Sequence, residues 1–297
     1  MKSLIATAAA AIVAFGSATA LAAQIASTPS STTAAPVNTT VGSASVPTAQ
    51  TTSSSTTSAA GTPSSKATAA INTAVGCTIA ATTTIGDTLP ASCHDIFTGA
   101  AVGVTPDNFA SIMSATIKVS NSQSLFVSPS LVTGLYTRTK TRTTTGSTSS
   151  ASAMGGVYLR AVVTNVANGQ VQTGYPVASC TSDILGCSLV GGKYGVTLDS
   201  RVQTLTQSLS ACVVTVGLLT GTCTFTQTTD LILKTTSAHT FNFIFPSVGV
   251  GTYKVDIQAA VNANASVSGT ATAIGAAAYG LGSLTVESVR LVHDFSF

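Results

Sequence analysis

The sequence predicts an all-β protein, a jelly-roll-like antiparallel β-sandwich preceded by a disordered Ser/Thr-rich linker. Three observations predict it. Segment after segment of the second half alternates apolar and polar residues with a period of two, as a strand does when one face is buried and the other is wet. Gly, Asn and Ser separate these segments, and those are the residues that make turns. Helical periodicity is scarce, and only Pro106 to Met113, with Asp107 near its start, reads as a short helix.

Residues 1–22 have the layout of a secretory signal. Lys2 supplies the positive end, Leu4 to Phe15 an apolar run, and Ala18-Thr19-Ala20 and Ala20-Leu21-Ala22 two small-residue cleavage sites. The apolar run is too short to span a bilayer, which takes roughly 20 residues. Cleavage is expected near Ala22, leaving a secreted protein, extracellular or associated with a cell wall, with no membrane span. Residues 23–75 are expected to be the linker. More than half of Ser27 to Thr68 is Ser or Thr, and Lys66 is the only charge between Lys2 and Asp87. No apolar face can be drawn through such a segment, so burial cannot offset the entropy of ordering it. Its composition suits an O-glycosylated stalk or a bare spacer. Asn38 and Asn264 are the two N-glycosylation sequons.

Residues 76–297 are expected to form the sandwich. In Thr252 to Val261, the side chains of Tyr253, Val255, Ile257, Ala259 and Val261 share one face, and Thr252, Lys254, Asp256 and Gln258 share the other. Phe241, Phe243 and Phe245 repeat the pattern, as do Val157, Leu159, Ala161 and Val163. Further strands are expected at Ala115 to Ser120, Leu131 to Thr144, Gly195 to Asp199, Val202 to Leu209, Gly269 to Ile274 and Leu284 to Val292. In the last, the parity of Leu284 and Val286 is broken by Val289 and Leu291, which places a bulge near Glu287 and Ser288. Eight to ten strands on one core favour two packed sheets, because an open sheet would leave wide edges exposed.

The run Gly251-Thr252-Tyr253-Lys254-Val255-Asp256-Ile257-Gln258-Ala259, followed by an Ala/Gly/Thr-rich connection and by Gly282-Ser283-Leu284-Thr285-Val286-Glu287, resembles the last two strands of C1q/TNF-like jelly-roll modules. That resemblance implies a jelly roll and a trimer. The wider region from Ile112 to Val292 resembles a family of secreted bacterial proteins without an assigned activity. Neither resemblance carries a functional residue with it.

Charge excludes several classes of function. Only 7% of the chain is charged, against about 25% for an ordinary globular protein, and the formal net charge is +3. Nucleic-acid binding needs clustered Lys and Arg and is not expected. Trp is absent and Glu287 is the only Glu, so acid/base pairs and aromatic platforms have few residues to draw on. Six cysteines in a secreted chain suggest three disulfides. Six allow 15 connectivities, and sequence proximity favours Cys77 with Cys93, Cys180 with Cys187 and Cys212 with Cys223. Their spacing does not suit a metal site, no Asp-x-Asp suggests calcium, and no cofactor is called for.

The sharpest local pattern is Thr137 to Thr143, where Thr alternates with Arg138, Lys140 and Arg142. As a strand it offers a cationic face to an anionic ligand, or it is an edge strand shielded from aggregation by its charges. Tyr175 and Tyr194 are expected in loops, where they could stack on sugar rings. With Arg138, Lys140 and Arg142 they are the candidate ligand-binding residues, and no catalytic residue is proposed. Cys93-His94-Asp95 reads as a disulfide-anchored loop. Ser237 with His239, and His293 with Asp294, supply the residue types of a hydrolytic triad, but no G-x-S-x-G elbow accompanies them. Asp183 and Asp199 are one pair of acids that folding could bring together.

The expected function is therefore non-enzymatic: a secreted surface or matrix protein for extracellular structure, adhesion or recognition. The alternative is a carbohydrate-binding module or a carbohydrate-active enzyme acting on extracellular polysaccharide. Its expected partner is an extracellular glycan or protein surface, and homo-oligomerisation is compatible with either reading.

Overall fold

The computed structural model describes residues 53–56, 66–73, 75–97, 101–103, 108–216 and 218–290. The expected signal segment, the Asn38 sequon and most of the expected linker lie outside them. The described strands are β1 (Ser53–Thr56), β2 (Ala67–Asn72), β3 (Val75–Thr83), β4 (Ala101–Gly103), β5 (Ala110–Val119), β6 (Gln123–Thr144), β7 (Thr148–Asn165), β8 (Val171–Thr173), β9 (Cys187–Val190), β10 (Lys193–Ser208), β11 (Cys212–Val216), β12 (Leu219–Cys223), β13 (Thr226–Thr240), β14 (Phe243–Val248), β15 (Gly251–Ser268) and β16 (Ala271–Val289).

Two packed sheets make an all-β sandwich. In the first, β3 and β2 lie end to end beside β16, β6 follows, and β13 and β14 lie end to end beyond it. The second runs β5, β15, β7, β10 and β9, with β8 also on β7. The pairing is antiparallel throughout except for β4, which runs parallel to β3. In the first sheet β3, β16, β6 and β13, and in the second β5, β15 and β7, set early strands beside late ones, as in a jelly-roll-like sandwich. β11 and β12 form a separate two-stranded hairpin between β10 and β13.

The core follows the period-two faces. Tyr253, Val255, Ile257, Ala259 and Val261 are all buried, as are Val157, Leu159, Ala161, Val163, Phe243 and Phe245. Side-chain size falls along the sandwich. Leu125, Ile117, Phe243 and Phe245 fill one end, while Ala151, Ala153, Ala271 and Ala273 line the other. A smaller core lies on the outer face of the first sheet, where Cys77, Ile79, Ile274 and Ala276 are covered by Cys93, Ile96 and Phe97. The Cys77–Cys93 disulfide holds that covering segment down. Cys180–Cys187 and Cys212–Cys223 are also formed, so all three proximity pairings are present. Three disulfides fit a chain that folds in an oxidising environment.

Several expectations are corrected. Ala110 to Met113 belongs to β5, not to a helix, because its residues pair with β15; Pro106 and Asp107 lie outside the described residues. The linker does not run to residue 75, since Ala67–Asn72 pairs with β16 and buries Thr68, Ala70 and Asn72 on alternate positions. A six-residue alternation of Ala, Thr and Ile is too short and too Thr-rich to stand out from the linker composition. Glu287 and Ser288 carry no bulge, and the shift in pairing with β6 falls between Tyr279 and Gly282 instead. Gly195 to Leu209 and Gly269 to Val289 are not pairs of short strands. Each is essentially one long strand, β10 and β16, and β10 is broken only by an irregularity between Thr197 and Asp199. The β9–β10 turn is made by Gly191 and Gly192, both at positive φ, which side chains rarely tolerate at two successive positions.

Candidate functional site

The Thr137 to Thr143 segment lies in the middle of β6, and β6 is bonded on both sides, to β13 and β16. It is therefore not an edge strand. Its two faces do separate as the alternation requires: Thr137, Thr139, Thr141 and Thr143 point between the sheets and are buried, and Arg138, Lys140 and Arg142 lie on the outer face.

That outer face is not an open cationic surface. Lys140 Nζ donates to both oxygens of Asp87 at 2.9 and 3.0 Å. Arg138 grips Asp230 with two parallel bonds, Nε to Oδ1 at 3.0 Å and Nη2 to Oδ2 at 2.6 Å. Its Nη2 also lies 3.7 Å from Asp87, and Thr272 donates to Asp87 at 3.1 Å. The Lys140 hydrogen bond holds the Asp87 carboxyl below its ordinary range against the opposing effect of burial, and the Asp230 bond raises the Arg138 guanidinium. Two cations and two acids thus satisfy one another. Beside them, Leu89, Pro90, Tyr136, Arg138, Lys234 and Ile274 line a shallow groove. Sequence reading missed Tyr136 there because it looked for tyrosines in loops. Arg142 is exposed, further along the same face.

The lowered Asp87 pKa sets a pH dependence. A carboxyl depressed in the folded state stabilises it above the unfolded pKa of about 3.9, and that stability is lost as pH falls through the folded value. Asp87→Asn is expected to cost about 1 kcal/mol at pH 7. The difference from the parent should close as pH falls below the unfolded carboxyl value and through the lower folded one, and denaturation titrated from pH 7 into acid checks it. A constant difference across that range would show that Asp87 does not act through its charge.

A second polar group lies where β10 faces β6 and β13. Thr133 Oγ1 donates to Asp199 Oδ2 at 2.6 Å, and Ser237 Oγ donates to the same oxygen at 3.3 Å. Ser237 Oγ is 2.8 Å from His239 Nε2, and that nitrogen is 3.5 Å from Asp199 Oδ2. These are the residue types of a hydrolytic triad in a different geometry. A triad needs the carboxylate on Nδ1 so that Nε2 is left to take the serine proton. Here the acid and the hydroxyl meet the same nitrogen, and the acid also binds the hydroxyl directly. The arrangement ties β10 to β6 and β13 and does not activate a nucleophile. Asp183 is not part of it, because it lies in the Cys180–Cys187 loop, where its carboxylate accepts the N–H of Leu189 in β9.

The same face of β10 continues with Gln203 and Gln207. Gln203 Oε1 accepts from Thr137 at 2.6 Å, and its Nε2 donates to Thr139 Oγ1 at 2.7 Å and to the Leu231 carbonyl at 3.0 Å. Gln207 accepts from Thr141 at 2.9 Å. Asp199, Gln203 and Gln207 fall four residues apart, an interval that keeps a strand's side chains on one face, so this signal was readable.

Of the other candidates, Asp95 does what a loop acid does, with Oδ2 accepting the N–H groups of Ala91 and Ser92. Tyr194 lies in β10, not in a loop, and packs against the main core. Tyr175 bridges Ile244 through its backbone. Asn264 is exposed on β15. Among the described residues no cluster of three metal-ligating side chains occurs.

The β11–β12 hairpin carries no charged side chain between Cys212 and Cys223 to mark it in the sequence. Cys212 and Cys223 sit opposite each other in the pairing and close it with a disulfide. Val213, Val214, Val216, Leu218 and Leu219 are all exposed on it, with Leu218 fully so. Comparison with family models, curated proteins and solved structures finds no match to this chain.

Proposed function

We propose that the chain is a secreted, non-enzymatic surface or matrix protein that acts by contact, in extracellular structure, adhesion or recognition. The observation that carries this reading is the stapled hairpin. A two-stranded hairpin is marginal on its own, and closing its ends with a disulfide removes much of the entropy that would otherwise unfold it. The result is a small fixed element that holds aliphatic side chains in water. Aliphatic groups exposed on a fixed element favour burial against another protein surface, and sugar rings are better met by flat aromatic faces. The mutual pairing of Asp87, Arg138, Lys140 and Asp230 supports the same reading, since it leaves little unbalanced charge with which to hold an anionic ligand.

The test is retention of the full chain on beads coated with extracellular matrix protein and, in parallel, on insoluble cellulose, chitin, β-glucan and peptidoglycan. Supernatants are assayed for released sugar. Retention on the protein-coated beads is expected, falling about tenfold or more in a Leu218→Ser/Leu219→Ser variant that melts like the parent. Sugar release would refute the non-enzymatic reading. Retention on polysaccharide that ignores the double variant would transfer the function to the carbohydrate-binding alternative and direct attention to the groove beside Tyr136.

A further inference from the structure

β13 is fifteen residues long and, among the described residues, pairs with a strand on one side only. A long edge strand is normally protected by a bulge, a proline or inward-pointing charges. β13 has no proline, and its pairing with β6 runs from Thr226 to Thr240 without a shift. At its centre stand Leu231, Ile232 and Leu233, which are 43%, 53% and 43% exposed. Three consecutive exposed aliphatic residues put apolar surface on both faces of the edge.

The sequence around them reads Thr228-Thr229-Asp230-Leu231-Ile232-Leu233-Lys234-Thr235-Thr236. Laid antiparallel against a second copy of itself with Ile232 opposite Ile232, it is self-complementary. Leu231 meets Leu233, Asp230 meets Lys234, Thr229 meets Thr235 and Thr228 meets Thr236, each pair occurring twice by symmetry. Shifting the alignment by two residues in either direction sets Asp230 and Lys234 against uncharged residues, and shifting it by one opposes residues from different faces of the sheet. One alignment therefore matches charge with opposite charge, apolar with apolar and face with face.

We infer that β13 is the contact through which two copies of this chain associate, strand to antiparallel strand about a two-fold axis at Ile232, so that the first sheet continues from one copy into the other. The two-fold satisfies the requirement of a closed dimer that the same patch serve both partners. Backbone hydrogen bonds along the edge supply affinity, and the side-chain pairs fix the register. Existing contacts are compatible with it. Asp230 uses its carboxylate on Arg138, and Lys234 donates to the Ile96 carbonyl and lies over the Phe97 ring, so each has further capacity to meet its counterpart.

The axis gives a test that a general loss of stability cannot imitate, because residue 232 faces its own copy. Ile232→Lys sets two ammonium groups against each other, Ile232→Glu sets two carboxylates, and an equimolar mixture sets Lys against Glu. Sedimentation of the full chain at about 100 µM, well above the micromolar range of a modest interface, is expected to show a dimer. Each single variant should weaken association by about tenfold or more while keeping the parent's circular dichroism, and the mixture should restore the dimer. A monomeric parent overturns the proposal. So does a dimer or trimer that is unaffected by both variants, or a mixture that associates no better than its components.

Discussion

Gly275→Val is expected to lower stability by about 3 kcal/mol, a fall in melting temperature of about 6–12 °C for a domain of this size. Gly275 is an inward-facing position of β16, opposite Thr137 of β6 and Ala80 of β3. A Cβ placed there would lie 2.2 Å from the Met154 carbonyl oxygen and 2.6 Å from that of Asn264. Those oxygens belong to β7 and β15 of the opposite sheet. Backbone meets backbone across the sandwich at this point, and no rotamer relieves a collision made by Cβ itself. Gly155 repeats the contact from the other side, 2.5 Å from the Ala276 carbonyl oxygen. The comparison is Gly146→Ala, which has no atom within 4 Å but sits at φ +78° in a turn, and so should lose only about 1 kcal/mol of conformational strain. Thermal denaturation of both variants decides the matter. Equal losses would mean that the sheets are not in contact at Gly275.

The same contact shows which part of the fold was legible. A period-two alternation identifies which residues face inward, and it did so correctly for Tyr253 to Val261 and for Val157 to Val163. It does not report the distance to the opposing sheet. The Ala/Gly/Thr-rich stretch from Gly269 to Gly282 reads as weak or connecting sequence because it lacks bulk. In the folded chain small residues are what let two sheets approach, and the stretch is largely the most fully buried strand of the first sheet. Small size looks the same in a sequence whether it serves a loop or a close contact. The displaced bulge has the same origin. Leu284 and Val286 keep their parity, and the break falls at Gly280 and Leu281, hidden inside a run that offers no alternation to interrupt.

The candidate site was legible as faces but not as partners. Arg138 and Lys140 were correctly placed together, yet their acids come from Asp87, in a loop 53 residues before Lys140, and Asp230, 92 residues after Arg138. Only the pairing of β6 with β13 brings Asp230 there. Disulfides were easier because each joins cysteines close in the chain, so proximity is already a geometric argument. The exposed hairpin was missed for a different reason. Val213, Val214 and Val216 look like core in any hydropathy reading, and nothing local says that they find no core to enter.

Gln203→Glu is expected to destabilise the fold by about 3 kcal/mol at neutral pH and to leave it close to the parent in acid. Gln203 is buried between the sheets, and its amide uses both ends: Oε1 accepts from Thr137, while Nε2 donates to Thr139 and to the Leu231 carbonyl. Glutamate has nearly the same shape. When ionised it has no proton to give, so an anionic oxygen is left facing the Leu231 carbonyl with its charge out of water. When protonated its O–H can take the place of the amide N–H. Burial therefore raises the folded pKa of the new carboxyl above its unfolded value of about 4.3. An acid raised in this way costs nothing below the unfolded pKa, and the cost grows as pH rises from there to the folded pKa, where it levels off. The variant's deficit should thus narrow as pH falls from 7 to 4, whereas that of Asp87→Asn, which arises from a lowered carboxyl in the parent, closes only at lower pH. Gln203→Leu separates charge from hydrogen bonding. It strands the Thr137 and Thr139 hydroxyls without introducing a charge, and a loss of about 2 kcal/mol independent of pH is expected. Denaturation of the three proteins between pH 4 and pH 7 tests the assignment. A Gln203→Glu deficit that does not narrow in acid would show that the loss does not come from the buried charge, and no deficit at pH 7 would show that water reaches the layer between β6 and β10.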